Sequence, residues 1–332
     1  MLINELQTPA LLVEQDALRY NLDTMSAALP GPRLRPHVKA HKCTSLARLQ
    51  RDNGHVGFTC ATIREVEAMA AAGLGEDLLL ANEVLDARRL GAVVQAGARV
   101  TVTVDSVETI EAAVAGGVRE VLIDVNVGLP RCGCRPEQAG GLAALARSHG
   151  LSVRGVMGYE GHLMQVAPSA ERLRDTQAAM ALLLAAATDV GGDIVNAGGT
   201  GTVSDNVWAT EIAAGSYALM DTAYTALGAP FRQALTVLGT VISLGAGWAV
   251  ADVGLKALGM DHGLPSIDGA TVWFCSDEHA SFAPDDGVRV SVGDRVRVLP
   301  AHIDPTVALH EAMYLVDGDR VVQRWPVDMR GW

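Results

Sequence analysis

Lysine is scarce in this chain. Only three of its 26 basic residues are lysines, Lys39, Lys42 and Lys256, and the rest are arginines. Arginine serves wherever only positive charge is needed, whereas a lysine amine loses its proton when buried and attacks a carbonyl carbon. Two of the three lysines fall in the segment 35–42, RPHVKAHK. This clustering indicates a Schiff-base lysine, and a basic loop with two chance lysines is the alternative that residue type leaves open.

Other absences narrow the class of protein. The five cysteines form no CxxC pair, which argues against a disulfide framework and favours a reducing compartment. No basic n-region begins the chain, and the longest apolar run, 178–187, is too short to span a bilayer. The net charge of −12 argues against a nucleic-acid surface. We expect a cytoplasmic protein that binds neither nucleic acid nor a membrane.

Short apolar runs alternate with helical patterns over the first two thirds of the chain. Apolar residues make up 49% of the sequence and aromatic residues only 4%, a balance that favours helices packed on buried parallel strands. Strands are predicted at 56–60, 77–81, 100–104, 120–125, 153–158, 193–197 and 217–220, and Thr62 and Glu65 form a predicted capping box. Together with the segment before the lysine motif, these predict a (β/α)8 TIM-like barrel at 15–229. An open doubly wound sheet is the alternative, but no GxGxxG follows the first strand.

The pattern changes after about residue 228. Segments 235–244, 271–274, 288–292, 295–299, 312–316 and 320–327 are rich in β-formers, and turn residues separate them. We therefore predict a C-terminal antiparallel β domain at 230–332, joined by residues 1–14.

Two motifs suggest binding chemistry. The glycine-rich stretch 198–202 after a predicted strand offers backbone N–H groups and hydroxyls to a phosphate, although such loops are often only turns. His302 and Asp304 lie two residues apart after another predicted strand, so on an extended chain they point to one side and form a candidate metal pair. A hydrogen-bonded pair at a surface turn is the alternative for the second motif.

Ten segments in order resemble the fold-type III pyridoxal phosphate (PLP) enzymes, and within them the D-threonine aldolase / D-serine dehydratase family. These segments are TPALLVE, RPHVKAHK, CATIREVEAMAAAG, DVNVGLPRCG, MGYEGH, GGTGT, AAGSYALMD, DVGLKALG, SDEHA and PAHIDPTVALHEAMYLVDG. The resemblance implies an alanine racemase-like barrel with an added β domain, a PLP cofactor, a divalent metal and a homodimer.

The resemblance also assigns roles to residues. Lys39 is the implied Schiff-base lysine, Arg131 is expected near the phenolic oxygen of PLP, and Tyr159 is expected to stack on its ring. The implied phosphate ligands are Gly199, Thr200, Gly215 and Ser216. His302 and Asp304 match the metal ligands, with Mn²⁺ or Mg²⁺ expected and Zn²⁺ compatible.

The same resemblance favours one reaction over others. D-serine dehydratases carry His-x-Cys at the metal pair and the aldolases His-x-Asp, so this chain matches the aldolases. Racemase is disfavoured because Ala213 and Ala214, not arginine, precede Gly215. The expected reaction is retro-aldol cleavage of a D-3-hydroxy amino acid to glycine and an aldehyde. A dehydratase giving a 2-oxo acid and ammonia, and a non-catalytic PLP-binding protein, are the alternatives.

The chain departs from the family pattern at the expected catalytic base. The aldolases carry a proposed base histidine several residues beyond the stacking tyrosine, whereas the only histidine near Tyr159 here is His162, three residues on. His162 is therefore the candidate base, unless another residue takes that role.

Overall fold

The computed structural model describes all 332 residues, Met1–Trp332, and its strands form two separate sheets. Numbered in chain order, the strands are β1 Ala10–Glu14, β2 Gly57–Cys60, β3 Asp77–Leu80, β4 Val100–Val104, β5 Glu120–Asp124, β6 Ser152–Gly158, β7 Ile194–Ala197, β8 Glu211–Ile212, β9 Leu235–Gly245, β10 Trp248–Ala251, β11 Ser266–Ile267, β12 Ala270–Cys275, β13 Ala280–Pro284, β14 Arg295–Leu299, β15 Ala312–Asp317 and β16 Arg320–Pro326.

Nine α-helices accompany these strands. They are α1 Gln15–Ala28, α2 Thr44–Asp52, α3 Ile63–Ala71, α4 Arg88–Gln95, α5 Val107–Gly116, α6 Ala139–Ser148, α7 Ala170–Val190, α8 Thr222–Ala226 and α9 Ile303–Leu309. No helix is both long and apolar enough to cross a lipid bilayer.

The chain divides into two compact units. The barrel unit comprises Met25–Lys39, Leu46–Gly215 and Met329–Trp332. The antiparallel unit comprises Met1–Thr24, Ala40–Ser45 and Ser216–Asp328.

The sheet of the barrel unit contains β2 to β8 in sequence order, all parallel. Residues 34–37 close it, because Leu34 bridges Ile212 of β8 and His37 bridges Thr59 of β2, both in parallel. The closing hydrogen bonds run from Arg35 N to Ile212 O and from Thr59 N to Pro36 O, each at 2.9 Å. Eight parallel segments thus form a closed cylinder, and the predicted (β/α)8 barrel is confirmed.

Local sequence explains these elements. All five residues of β4, VTVTV, are buried, as expected for a parallel strand covered on both faces. Thr62 caps α3 by accepting a hydrogen bond from Glu65 N at 3.2 Å, as the sequence predicts. Helix α7 packs against β6, and α6 packs against β5 and β6, so the helices cover the barrel from outside.

A buried ion-pair network lies at the N-terminal ends of the barrel strands. The guanidinium of Arg35 contacts Glu211 at 2.5 Å and Asp77 at 2.7 Å, and Arg154 contacts the other Asp77 oxygen at 2.7 Å. Burial opposes the charge of Arg35, but the two carboxylates outweigh it and raise the pKa of its guanidinium. Burial likewise opposes the charge of Asp77, yet Arg154 and Arg35 lower the pKa of its carboxyl to about 2. The network neutralises a charge that closure of the barrel buries.

The antiparallel unit contains a second closed sheet. Strands β9, β10, β13, β12, β11 and β14 pair in that order, and β14 pairs again with β9. Strand β1 joins β9 in antiparallel and β15 in parallel, and β16 pairs with β15. The predicted antiparallel β domain is confirmed.

Two predicted strands are wrong. Segment 217–220 is buried, but Ser216–Ala218 is a 3-10 turn and Met220 has a φ of 57°, which a strand excludes. The eighth barrel strand is Glu211–Ile212 instead. Segment 288–292 is exposed and irregular, because the Asp294 side chain accepts a hydrogen bond from Ser291 N and holds a turn there.

Replacing Asp77 with Asn should lower the free energy of unfolding by about 3 kcal/mol at neutral pH. The change leaves the buried Arg35 and the half-buried Arg154 each short of a negative partner. The Asp77 carboxyl has a folded pKa of about 2, below its usual 3.8. Its contribution is therefore complete above about pH 4 and is lost as the pH falls toward 2. Denaturant unfolding of both proteins between pH 7 and pH 2 measures this difference.

The matched control is Asp86→Asn, which removes an exposed ion pair with Arg88 and should change stability little. Equal destabilisation by Asp77→Asn and Asp86→Asn would contradict a stabilising role of the buried network.

Candidate active site

Lys39 lies at the C-terminal rim of the barrel. It follows the closing segment 34–37 by two residues, in a 3-10 turn at Val38–Ala40, and its side chain is exposed. His37 N donates to Ala214 O at 2.9 Å, so the residue before Gly215 lies beside the segment that leads to Lys39. Two sequence-predicted cofactor residues, Lys39 and Gly215, thus follow neighbouring segments of the barrel.

Tyr159 and Arg131 also meet at this rim. Tyr159 follows β6 directly, and Arg131 belongs to the loop after β5. The guanidinium carbon of Arg131 lies 5.1 Å from the centre of the Tyr159 ring, within the range of a cation–π contact. A methyl group on Gly199 would lie 3.6 Å from Tyr159 Cε2, so the ring also adjoins the glycine-rich loop.

The loop 198–202 admits no side chains at its glycines. Gly198 has a φ of 79°, in the left-handed region. A Cβ on Gly201 would lie 2.2 Å from Met164 O, and one on Gly199 would lie 2.7 Å from Met164 Sδ. Glycine is therefore required for the main chain to pack this closely against the segment after β6.

The carboxylate of Glu160 holds the loop 198–202 in place. Its side chain is fully buried and accepts hydrogen bonds from Gly198 N at 3.0 Å, Thr202 Oγ1 at 2.8 Å and Asn206 Nδ2 at 2.9 Å. Charged acceptors give the stronger hydrogen bonds, and these three come from a segment about forty residues away in the chain. Since Glu160 adjoins Tyr159, one carboxylate links the segment that bears Tyr159 to the glycine-rich loop.

Acidic side chains surround the loop that bears Arg131. Asp124 ends β5 and is buried. Its burial, the charge of Glu83 and a hydrogen bond with Glu83, and the charge of Asp105 raise the pKa of the Asp124 carboxyl well above the usual value. Burial and the same carboxyls raise the pKa of the Cys132 and Cys134 thiols to about 12. These cysteines are protonated at neutral pH, which excludes them as thiolate nucleophiles.

His162, the candidate base, is exposed in the 3-10 turn Gly161–Leu163 after β6. A Cβ on Gly128 would lie 2.8 Å from His162 Cε1, so the imidazole packs on the loop that leads to Arg131. His162 therefore belongs to the same rim as Tyr159 and Arg131.

The antiparallel unit brings His302 and Asp304 together, but not on an extended chain. His302 is the N-cap of α9, with extended backbone, and Asp304 lies in the first turn of that helix. The expected alternation along a strand is wrong, yet His302 Nε2 and Asp304 Oδ1 lie 3.9 Å apart because the chain turns into the helix between them. Ser216, an expected phosphate ligand, donates to Asp304 Oδ1 at 3.4 Å.

Two carboxylates support this pair. Asp221 is fully buried and accepts hydrogen bonds from Tyr224 N at 3.0 Å and Ile303 N at 3.2 Å, which fixes the start of α9. Asp261 accepts a hydrogen bond from His302 Nδ1 at 2.8 Å. Burial would raise the pKa of Asp261, but the hydrogen bond and charge of His302 lower it.

The remaining lysines have other surroundings. Lys256 forms exposed ion pairs with Glu278 at 3.0 Å and with Asp277 at 3.9 Å. The charged stretch 277–279 is therefore a solvated loop. Lys42 ends the lysine motif two residues before α2 and has a φ of 46°.

Family models account for most of the chain. The alanine racemase N-terminal domain matches residues 13–221, and a putative serine dehydratase domain matches residues 234–316. The chain belongs to the alanine racemase-like D-threonine aldolase / D-serine dehydratase family. The resemblance drawn from the ten sequence segments is confirmed.

Members of this family with assigned reactions align over nearly the full length. The 3-hydroxy-D-aspartate aldolase of Paracoccus denitrificans (strain Pd 1222) is 33% identical over 99% of this chain and 93% of its own. The D-threo-3-hydroxyaspartate dehydratase of Delftia sp. (strain HT23) is 30% identical over 98% of each chain. The crystal structure of D-threonine aldolase from Filomicrobium marinum superposes with a TM-score of 0.90 at 34% identity, covering 99% of this chain and 97% of the other.

Sequence reasoning did not find Glu160, Glu83 or Asp261. Glu160 lies in a quoted family segment, but its partners lie 38 to 46 residues further along the chain. Asp261 lies 41 residues before His302 in a polar loop that no pattern distinguishes. Only the fold reveals such long-range partners.

Glu160→Gln should weaken PLP binding to the apoprotein about tenfold or more. A carboxylate accepts hydrogen bonds at both oxygens, whereas an amide accepts them only at its single oxygen, so the variant cannot keep all three bonds and releases the glycine-rich loop. Fluorescence titration with PLP measures the dissociation constant. Glu171→Gln, an exposed change in the first turn of α7, is the matched control. Equal PLP affinity in the two variants would show that Glu160 does not position the loop.

Proposed function

We propose that this protein is a PLP- and divalent-metal-dependent lyase that cleaves a D-3-hydroxy amino acid, D-threonine-like, into glycine and an aldehyde. The observation that carries the proposal is the contact between Ser216 Oγ and Asp304 Oδ1 at 3.4 Å. Through it, a residue of the expected phosphate site adjoins the expected metal pair within one unit. Full-length alignment with two aldolases supports the same reaction.

The barrel rim fits PLP. Lys39 would supply the amine. The glycine-rich loop 198–202 follows β7 and has left-handed backbone at Gly198, and its main-chain N–H groups would bind a phosphate. The buried Asn196 amide, near the end of β7, has a nitrogen with no hydrogen-bond partner and offers a further donor there. We assign the phosphate to Gly199, Thr200, Gly215 and Ser216, the ring to Tyr159 and the phenolic oxygen to Arg131.

The metal pair fits a divalent cation. An imidazole nitrogen and a carboxylate oxygen 3.9 Å apart bind one ion after a small side-chain adjustment, since each metal–ligand bond is about 2.0–2.2 Å long. One carboxylate and one imidazole suit Mn²⁺ or Mg²⁺, and Zn²⁺ is also compatible. Asp304 and His302 would hold that ion.

Each residue of the candidate site has a separate role in the proposed reaction. Bound PLP supplies an electron sink for the Cα carbon, and a bound divalent cation supplies a Lewis acid for the β-hydroxyl. Lys39 would hold the cofactor through its amine, in the position that the amino group of the substrate would take. Tyr159 and Arg131 orient the ring. We assign to an imidazole nitrogen of His162 the removal of the β-hydroxyl proton. The Cα–Cβ bond would then break, the aldehyde would leave, and a proton would return to Cα to give glycine.

Dehydration is the second candidate function. The Delftia relative is a D-threo-3-hydroxyaspartate dehydratase that aligns over 98% of this chain. In that case the hydroxyl would leave as water, and a 2-oxo acid and ammonia would form. The His-x-Asp pair favours the aldolase, because a carboxylate is a harder ligand than the thiolate of the D-serine dehydratase branch.

The cytoplasmic location, the homodimer and the domain boundaries at 14 and 229 stay predictions.

Lys39→Ala should abolish the absorbance change that borohydride causes in the PLP-loaded protein, because no lysine then forms the reducible C=N bond. Lys256→Ala, which removes an exposed ion pair, is the matched control and should reduce like the wild type. Persistence of the full absorbance change in Lys39→Ala would refute the assignment.

Chelation should remove aldehyde release from D-threonine or 3-hydroxy-D-aspartate, and Mn²⁺ or Mg²⁺ should restore it, because the β-hydroxyl then loses and regains its Lewis acid. Product analysis decides between the two reactions, since glycine with an aldehyde marks the aldolase and a 2-oxo acid with ammonia marks the dehydratase. Full activity after chelation would exclude a catalytic metal at His302 and Asp304.

A further inference from the structure

Three metal-ligating side chains cluster in the antiparallel unit. The ligand atoms of Asp261, His262 and His302 all lie within 4.8 Å of one another. This group includes His302 but not Asp304, so His302 has candidate metal partners on two sides. The geometry of its imidazole decides between them.

The two nitrogens of His302 face different carboxylates. Nδ1 lies 2.8 Å from Asp261 Oδ2, the length of a direct hydrogen bond, and Nε2 lies 3.9 Å from Asp304 Oδ1. A carboxylate only accepts hydrogen bonds, so the proton of this bond resides on Nδ1. In a neutral imidazole, the form that binds a metal ion, Nε2 then carries the lone pair, on the side of Asp304.

The backbone fixes this arrangement. Gly259 forms an antiparallel bridge with His302, and Gly259 N donates at 2.9 Å to the hydroxyl of Thr306. That hydroxyl in turn donates at 2.7 Å to His302 O. A Cβ on Gly259 would lie 2.3 Å from Pro305 Cγ. The loop that carries Asp261 is thus attached to the N-terminus of α9, and Asp261 is held beside the ring of His302.

The stacking of His262 argues against its being a ligand. Its ring is parallel to that of His302 within 7°, with centroids 3.9 Å apart. An imidazole binds a metal ion in its own plane at about 2.0–2.1 Å. An ion in the plane of His302 lies at roughly van der Waals distance, about 3.5 Å, from the plane of His262. His262 therefore packs on His302 as a flat plate and limits its rotation.

We propose that Asp261 is the positioning residue of the metal centre, because it commits His302 to binding the divalent cation through Nε2. Metal-binding histidines generally donate their second N–H to such a carboxylate, which fixes the tautomer and makes the ligand more basic. The inference rests on the proposed function, which supplies the metal at His302 and Asp304. It adds the residue that orients one ligand and assigns a packing role to His262.

Direct metal binding tests the inference without any turnover. The PLP-loaded protein is stripped with a chelator and titrated with Co²⁺ by calorimetry and absorbance. Asp261→Asn should weaken Co²⁺ binding about 10- to 100-fold while the visible spectrum of the bound ion keeps its shape. Asp268→Asn, an exposed aspartate of the same unit, is the matched control and should leave the affinity within twofold of the wild type.

Two further variants separate the possible failures. His262→Phe retains a flat ring without ligand atoms, and its Co²⁺ affinity should stay within about threefold of the wild type. Pulsed EPR of the Mn²⁺-loaded wild-type protein should detect one coordinated imidazole. Loss of binding in His262→Phe, two coordinated imidazoles, or unchanged affinity in Asp261→Asn would overturn the inference. His302→Ala should abolish binding; retained binding in His302→Ala would instead refute the metal pair of the proposed function.

Discussion

Closure of the barrel by residues 34–37 is the constraint on which the candidate site depends. This segment hydrogen-bonds to β8 on one side and to β2 on the other, and Lys39 follows it by two residues. Closure also buries the guanidinium of Arg35, which requires Asp77 and Glu211 as charge partners at the opposite end of the strands. One short segment therefore connects the ion pairs that stabilise one rim of the barrel with the candidate Schiff-base lysine at the other rim.

Buried or tethered carboxylates position the ligand-binding groups in both units. Glu160 fixes the glycine-rich loop through three hydrogen bonds, and Asp221 fixes the start of the helix that bears the metal pair. Asp261 fixes the imidazole of His302 in the same way. A carboxylate suits this task because it accepts several hydrogen bonds at once and its charge strengthens each of them. The groups that are proposed to touch the cofactor or the metal are thus held in place by carboxylates that are not themselves proposed ligands.

Sequence alone predicts the parts of this fold that local pattern governs. Strand β4 has the predicted bounds, because its five successive residues are all β-branched and favour a strand. Segment 217–220 is equally apolar, but a buried run does not distinguish a strand from a compact turn, and Met220 adopts left-handed backbone there. His302 and Asp304 follow from their spacing, although a helix N-terminus, not a strand, brings them together. Glu160 and Asp261 depend on partners distant in sequence, which only the folded chain supplies.

The central claim is that Lys39 is the residue that bonds to PLP. Borohydride reduction of the PLP-loaded wild-type protein, followed by proteolysis and peptide mass spectrometry, tests it most directly. The account predicts one phosphopyridoxyl group per chain, located on Lys39. A phosphopyridoxyl group on Lys42 or Lys256, or none at all, would contradict it.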